Sequence, residues 1–221
     1  MLNRVQNACV FLLVLSASAA VAGCDEECVD GYCEPVYDTG YYYDSLVSGL
    51  AYETKTEDGT VRTGVTGEND DPGSFSYYMA DAEVSFSLGG TDLGTSTAKD
   101  KVTPFDVAGV AEEAVGGCNV DGTLPDDDFR IVHNIAVLLQ TFDTDGDPTT
   151  DIEISADVAA LFDGVSISFD QAWDDFQADS DLQGVLDSAN EQSLFSETRT
   201  LVAREDALKA LYEGIGLCPE Q

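Results

Sequence analysis

Asp143, Asp145, Asp147, Thr149 and Asp151 occupy every second position of the run DTDGDPTTD. Hard divalent cations take several oxygen ligands in a flexible shell, and carboxylates crowded this closely repel one another unless they are splayed into water or neutralised. Gly146 gives the backbone freedom for a sharp turn that would let the oxygens converge. The run is not an EF-hand, because that loop needs Gly at its sixth position and a bidentate Glu at its twelfth, where this chain has Pro148 and Ile154. It is closer to the shorter Asp-rich calcium loops of extracellular proteins. The residue types leave two readings, a calcium cage and a solvated polar turn.

Other chemistry is weakly signalled. Asp38, Thr39 and Gly40 spell the D-T-G of aspartic proteases, but that site needs two carboxylates sharing a proton, and the sequence holds no second D-T-G or D-S-G. No G-x-S-x-G, H-E-x-x-H, P-loop or dinucleotide fingerprint occurs. A glycosidase needs only two carboxylates at the right separation, which 43 acidic residues could supply, yet nothing in the sequence selects a pair. His133, the single histidine, is expected with Asn134, Arg130 and Thr141 beside the polar stripe of a helix, as a surface or satisfied residue rather than a ligand.

Charge and cysteine content set the setting for this chemistry. The 221 residues carry 43 acidic and 9 basic side chains, a formal charge of −34. Phosphate binding needs clustered Lys and Arg, so nucleic acid is not an expected partner. The acid reads as a solvating coat, with a sharper alternative in which its field gathers cations or a basic partner. Four cysteines, Cys28, Cys33, Cys118 and Cys218, form an even set with three possible pairings once Cys9 and Cys24 are assigned to the amino-terminal segment described below. Pairing of Cys28 with Cys33 and of Cys118 with Cys218 is favoured. The second bridge would close a loop of about 100 residues, worth roughly 4.7 kcal/mol in the chain-entropy model.

The elements that must position these groups divide the chain. Residues 24–45 are acidic and Tyr-rich without a periodic apolar face, and read as a tether. Residues 46–103 read as β structure: VSGLAYET and VRTGVTG flank the turn signal Asp58-Gly59, SFSYY follows a breaker, and AEVSFSL joins TDLGTSTA through Gly89-Gly90. Val84, Phe86 and Leu88 alternate with Glu83, Ser85 and Ser87, which buries one face. The aromatics Phe75, Tyr77, Tyr78 and Phe86 are expected mainly in the core, with a binding surface as the alternative. Residues 104–221 read as helical. Thr103, Pro104 and Asp106 make a helix start for a segment reaching Val115, and PDDDFRIVHNIAVLLQTF is the principal core helix, burying Phe129, Val132, Ile135, Leu139 and Phe142. Beyond the Asp-rich loop come a short strand at DIEIS, a helix capped by Ser155, a broken acidic helix around Phe169, Trp173 and Phe176, and a closing helix with Leu201, Leu208 and Leu211 inward. The expected fold class is α+β: a small antiparallel β-sandwich or half-barrel followed by a helical subdomain.

The amino terminus bears on location. Residues 1–23 have a short basic start at Arg4, an apolar run from Ala8 through Leu15 and a small-residue stretch, followed by VAGC ending at Cys24. The apolar run falls short of the ~20 residues that span a bilayer and reads as a secretory leader. VAGC resembles the lipobox of bacterial lipoproteins, which implies lipidation of Cys24 and attachment to a membrane by acyl chains. The alternative is an ordinary leader with Cys24 free to pair. An envelope protein at the outer membrane or cell surface is expected. Asp25 directly after Cys24 leaves the periplasmic face of the inner membrane open, since in enteric bacteria that residue implies retention there.

The ordered set VSGLAYET, GSFSYY, VSFSLGGTDLG, VTPFDVAG, NIAVLLQTFDTDGDP and LVAREDAL resembles a module of lipoproteins and large adhesin-like secreted proteins of environmental Gram-negative bacteria, over about residues 46 to 213. The resemblance implies an envelope or surface protein without established catalysis, and a fixed structural role for the Asp143 loop. The expected function is therefore a lipid-anchored, non-catalytic binding, adhesion or structural module, calcium being the ion that would stiffen its loop, with another envelope protein or a surface glycan as partner. The alternatives are an envelope hydrolase using an acid pair and an accessory lipoprotein of a transport or export complex. A polar cleft with facing carboxylates would favour the hydrolase, and a flat aromatic surface would favour adhesion.

Overall fold

The computed structural model describes residues 26–29, 32–35, 37–56, 59–78, 82–112, 118 and 126–218, with the backbone alone described for 26–29, 32–35 and 126–128. Residues 1–23, expected to form a leader, and Cys24 lie outside the described residues.

Strands β1 (Glu26–Val29) and β2 (Tyr32–Pro35) form an antiparallel hairpin that sets Cys28 opposite Cys33 in register. Strand β3 (Tyr37–Tyr42) is the first to enter the main body, and it corrects the expected tether. Its Tyr and Thr residues suit a pleated surface, and alternate positions 40 and 42 turn inward, with Tyr42 completely buried. Asp44, just beyond it, is also fully buried. The body thus begins at residue 37 rather than 46.

The remaining strands are β4 (Val47–Ser48), β5 (Ala51–Lys55), β6 (Val61–Val65), β7 (Ser74–Tyr78), β8 (Glu83–Leu88), β9 (Thr91–Thr97) and β10 (Lys101–Val102). One antiparallel sheet has the order β6-β5-β8-β9, and a second has the order β10-β3-β7. Val84, Phe86 and Leu88 are completely buried, as their alternation predicts. The sheets face each other through aromatic contacts: Phe75 of β7 meets Phe86 of β8 at 5.2 Å between ring centroids, and Tyr42 meets Phe86 at 4.7 Å. The second sheet is mixed, because β10 pairs parallel to β3 while β7 pairs antiparallel to it.

Helix α1 (Pro104–Ala108) starts as predicted, the Asp106 carboxylate accepting from the Thr103 backbone N–H at 2.9 Å, but it stops at Gly109 in the left-handed conformation instead of running to Val115. Helix α2 (Asp126–Phe142) is the centre of the helical half, and the expected polar stripe is absent from it. From Phe129 onward only Arg130 and Ile131 are less than buried; His133 and Asn134 are inside. The His133 ring stacks on Phe129 at 6.1 Å, and the Asn134 amide donates to the carbonyls of Phe169 and Gln171 at 2.9 Å each. A helix enclosed all round is a core helix, and its polar members Asn134, Gln140 and Thr141 are held by specific hydrogen bonds.

Strand β11 (Ile152–Glu153) pairs parallel to β4, stitching the chain beyond α2 back to the β half. Helices α3 (Ala156–Ala160), α4 (Trp173–Gln177), α5 (Ser180–Glu191) and α6 (Arg204–Gly214) complete the fold. A single contiguous core runs from Tyr42 to Cys218, so the β and helical halves share one interior. The architecture is α+β, with an antiparallel four-stranded sheet and the helices after it.

Candidate functional site

The Asp143 loop leaves α2 and returns as β11. Asp143 is buried, and its two carboxylate oxygens accept from the backbone N–H groups of Glu153 and Gly146 at 2.9 Å each. Burial pushes this carboxyl up to about 6, partly offset by those N–H donors. Asp145 and Asp147 are exposed and hold the turn internally: Asp145 accepts from the Asp147 N–H at 2.8 Å, and Asp147 accepts from the Thr149 N–H and hydroxyl at 3.0 and 2.7 Å. The Asp147 N–H holds the Asp145 carboxyl below its ordinary range, and the Thr149 hydroxyl does the same for Asp147. Asp151 accepts from the Leu46 N–H at 3.4 Å.

A cation of the protein's own serves this loop. The Arg199 guanidinium donates to the carbonyls of Thr141 at 3.2 Å, Thr144 at 3.1 Å and Asp143. It lies over the Phe195 ring at 4.2 Å. The backbone of Arg199 is fixed in both directions by the Asn190 side chain, at 2.8 and 2.9 Å. These carbonyls are at the C-terminal end of α2, where unpaired C=O groups and the helix dipole both favour positive charge. Gly146 has φ +67, and a Cβ there would collide with the guanidinium. Of the five expected calcium ligands the Asp143 and Asp145 carboxylates come within hydrogen-bonding reach of each other, and among the described residues no group of three or more His, Cys, Asp or Glu is arranged to hold a metal ion.

A polar cleft of about 610 Å³ lies between β10 and α1. On its walls Lys99 pairs with Asp106 at 2.6 Å, the Tyr77 hydroxyl donates to Asp100 at 3.2 Å, and the carboxylates of Asp106 and Glu112 both lie within 3.2 Å of the Thr103 hydroxyl. Burial and the neighbouring Asp100 and Asp38 push the Tyr77 phenol up to about 12. Asp106 is committed to the start of α1 and to Lys99, a structural use of the carboxylate. Asp38 of the D-T-G run lies on β3 opposite Tyr77, on a strand rather than on a catalytic loop.

No family model, curated protein or solved structure matches this chain. Its site must therefore be read from its own geometry.

That geometry includes an outward surface on β3 and β7. Tyr37, Thr39 and Tyr41 point away from the core, opposite Tyr78, Ser76 and Ser74 in register. Tyr37 is 42% exposed. Its ring meets Tyr78 at 4.6 Å, and the two hydroxyls are 3.0 Å apart. Arg62 of β6 lies over the Tyr37 ring at 4.5 Å, and Lys101 lies over Tyr43 at 5.4 Å, so a cation rests on a tyrosine at each end of the surface. The Tyr41 hydroxyl donates to Asp71 at 3.1 Å. Sequence reasoning assigned Tyr37, Tyr41 and Tyr43 to the tether and missed Arg199. The period-two pattern Tyr37, Thr39, Tyr41 was the available signal for the first; an Arg between acidic helices of so acidic a chain was the signal for the second.

Cys118 and Cys218 are joined, with 4.8 Å between Cα atoms, and this pairing ties the segment after α1 to the end of α6. Among the described residues no helix is long and apolar enough to cross a membrane.

Proposed function

We propose that this chain is a cell-envelope protein anchored through lipid on Cys24, and that its body is a non-catalytic binding module with the tyrosine surface of β3 and β7 as its contact face. The observation that carries the reading is the exposed Tyr37 packed against the half-buried Tyr78 beside Arg62, because tyrosine and arginine clustered at a solvent-facing surface are the side chains that contact surfaces favour. The lipobox-like VAGC and the resemblance to envelope and adhesin-like modules support it. Calcium at the Asp143 loop belongs to the same proposal: Asp145 and Asp147 present exposed carboxylates there. The hydrolase reading rests on Asp106 and Glu112 meeting at Thr103, and it is the weaker one because Asp106 is already paired.

Metabolic acyl labelling of wild type and Cys24→Ser tests the anchor: label lost with the serine variant supports it, and equal label in both overturns it. Retention of the mature body on isolated envelope fractions tests the module. Retention that falls in a Tyr37→Ser, Tyr78→Ser double variant supports the contact face; equal retention by both proteins overturns it.

A further inference from the structure

We infer that the tyrosine face of β3 and β7 binds an uncharged polysaccharide. The inference rests on the reading of that face as the contact surface and adds the chemistry of what it contacts. From Tyr37 to Tyr43 the face runs about 20 Å at the rise of a strand, long enough for several sugar rings laid end to end. Its side chains are of two kinds. Tyr41, Tyr78 and the part of Tyr37 that Arg62 does not cover offer electron-rich ring faces to the weakly positive C–H faces of a pyranose. Their hydroxyls, with those of Thr39, Ser74 and Ser76 between them, give donors and acceptors to the sugar hydroxyls.

Charge selects among partners. The face belongs to a chain of formal charge −34, which repels acidic polymers and anionic lipid surfaces. A polybasic partner, which that charge would otherwise gather, meets Arg62 at one end of the face and Lys101 at the other. A neutral chain is repelled by neither. The centre of the face also lacks the aliphatic side chains that form the desolvated core of a protein interface; Thr39 and Ser76 stand there instead. Rings flanked by hydroxyls suit a ligand that is itself half C–H surface and half hydroxyl.

The test is native affinity electrophoresis of the mature full-length body in gels containing dextran, starch or xylan, with anionic alginate as the charged comparison. Retardation by at least one neutral polysaccharide and not by alginate is expected, with at least a tenfold weaker affinity in Tyr37→Ala, Tyr78→Ala. Ser76→Glu keeps every ring and sets a charge at the centre of the face; it should abolish retardation while leaving the thermal midpoint unchanged, which separates loss of binding from loss of fold. Retardation equal in all variants, or by alginate alone, overturns the inference. Tyrosine-dependent retention on envelope fractions that survives enzymatic removal of their glycans overturns the polysaccharide while preserving the contact face, and retention by no fraction and no gel overturns both.

Discussion

The Gln140 side-chain amide donates to one carboxylate oxygen of Asp44 at 3.2 Å, across 96 positions of sequence, and the other oxygen is buried without a hydrogen bond. Asp44 is fully enclosed, and burial raises its pKa to about 8 against a modest opposing effect of Gln140. The unfolded chain would ionise this group near ~3.9. A folded pKa above the unfolded one means that the neutral carboxyl's contribution to stability is whole below about 4 and is lost as pH climbs to about 8. Asp44→Asn keeps an acceptor for Gln140 and removes the ionisation. It should match wild type in urea unfolding near the lower limit and exceed it by several kcal/mol at the upper one, the gap opening by up to about 1.4 kcal/mol per pH unit. A gap that does not change with pH would show that Asp44 is ionised inside the fold.

Arg199 is expected to be the most sensitive basic residue. Arg199→Met keeps the stem over Phe195 and strands carbonyls of Thr141, Asp143 and Thr144. Each lost bond from a charged donor is worth about 1.5–3 kcal/mol in general, and partial hydration of the exposed side of the loop reduces the sum. A loss of about 2–4 kcal/mol in urea unfolding is expected. Arg199→Lys should recover part of it, since an ammonium supplies the charge without the planar fork.

Calcium can be judged by melting. A ligand that binds the folded state at a hundred times its dissociation constant adds about 2.7 kcal/mol. The thermal midpoint of the mature body should therefore rise in millimolar calcium and fall back with chelator, and Asp145→Asn, Asp147→Asn should remove the response. An unchanged midpoint would retire the calcium proposal and leave Arg199 as the loop's cation.

Reduction of the Cys118–Cys218 bridge, or Cys118→Ser with Cys218→Ser, should cost about 2–5 kcal/mol, because the bridge closes a loop with a sequence separation of 100. Urea unfolding with and without reductant measures it, and the double serine variant should show no effect of reductant attributable to this bridge.

Gly49 tests the seam between the two halves. It has φ +95, and a Cβ there would collide with the Ile154 carbonyl beside the β4–β11 pairing. Gly49→Ala should destabilise by more than about 1 kcal/mol from the backbone conformation alone, with the collision adding to it.

Much of this architecture was legible where one physical signal dominated. The alternation through Val84, Phe86 and Leu88 and the start at Thr103, Pro104 and Asp106 are local and strong, and both were found in place. Two kinds of feature were not legible. His133, Asn134 and Thr141 read as lying along a polar stripe with Arg130, yet those three are buried, and partners distant in sequence hold Asn134 and the neighbouring Gln140, namely Phe169 and Asp44. Parallel pairing of β3 with β10 and of β4 with β11 likewise depends on segments far apart, which no local pattern announces. At the loop, sequence reading supplied the acids and the turn glycine but not the guanidinium, because Arg199 arrives from 56 positions away from Asp143.

The seam of β4 with β11 has a consequence for biosynthesis. Leu46 and Asp151 meet across 105 positions, and Lys101 reaches the Ile215 carbonyl at the end of α6 across 114. Early segments leaving the ribosome have no finished neighbours, so closure must wait for almost the whole polypeptide. The nascent body therefore stays open until α6 has been made, and its two halves close together rather than in turn.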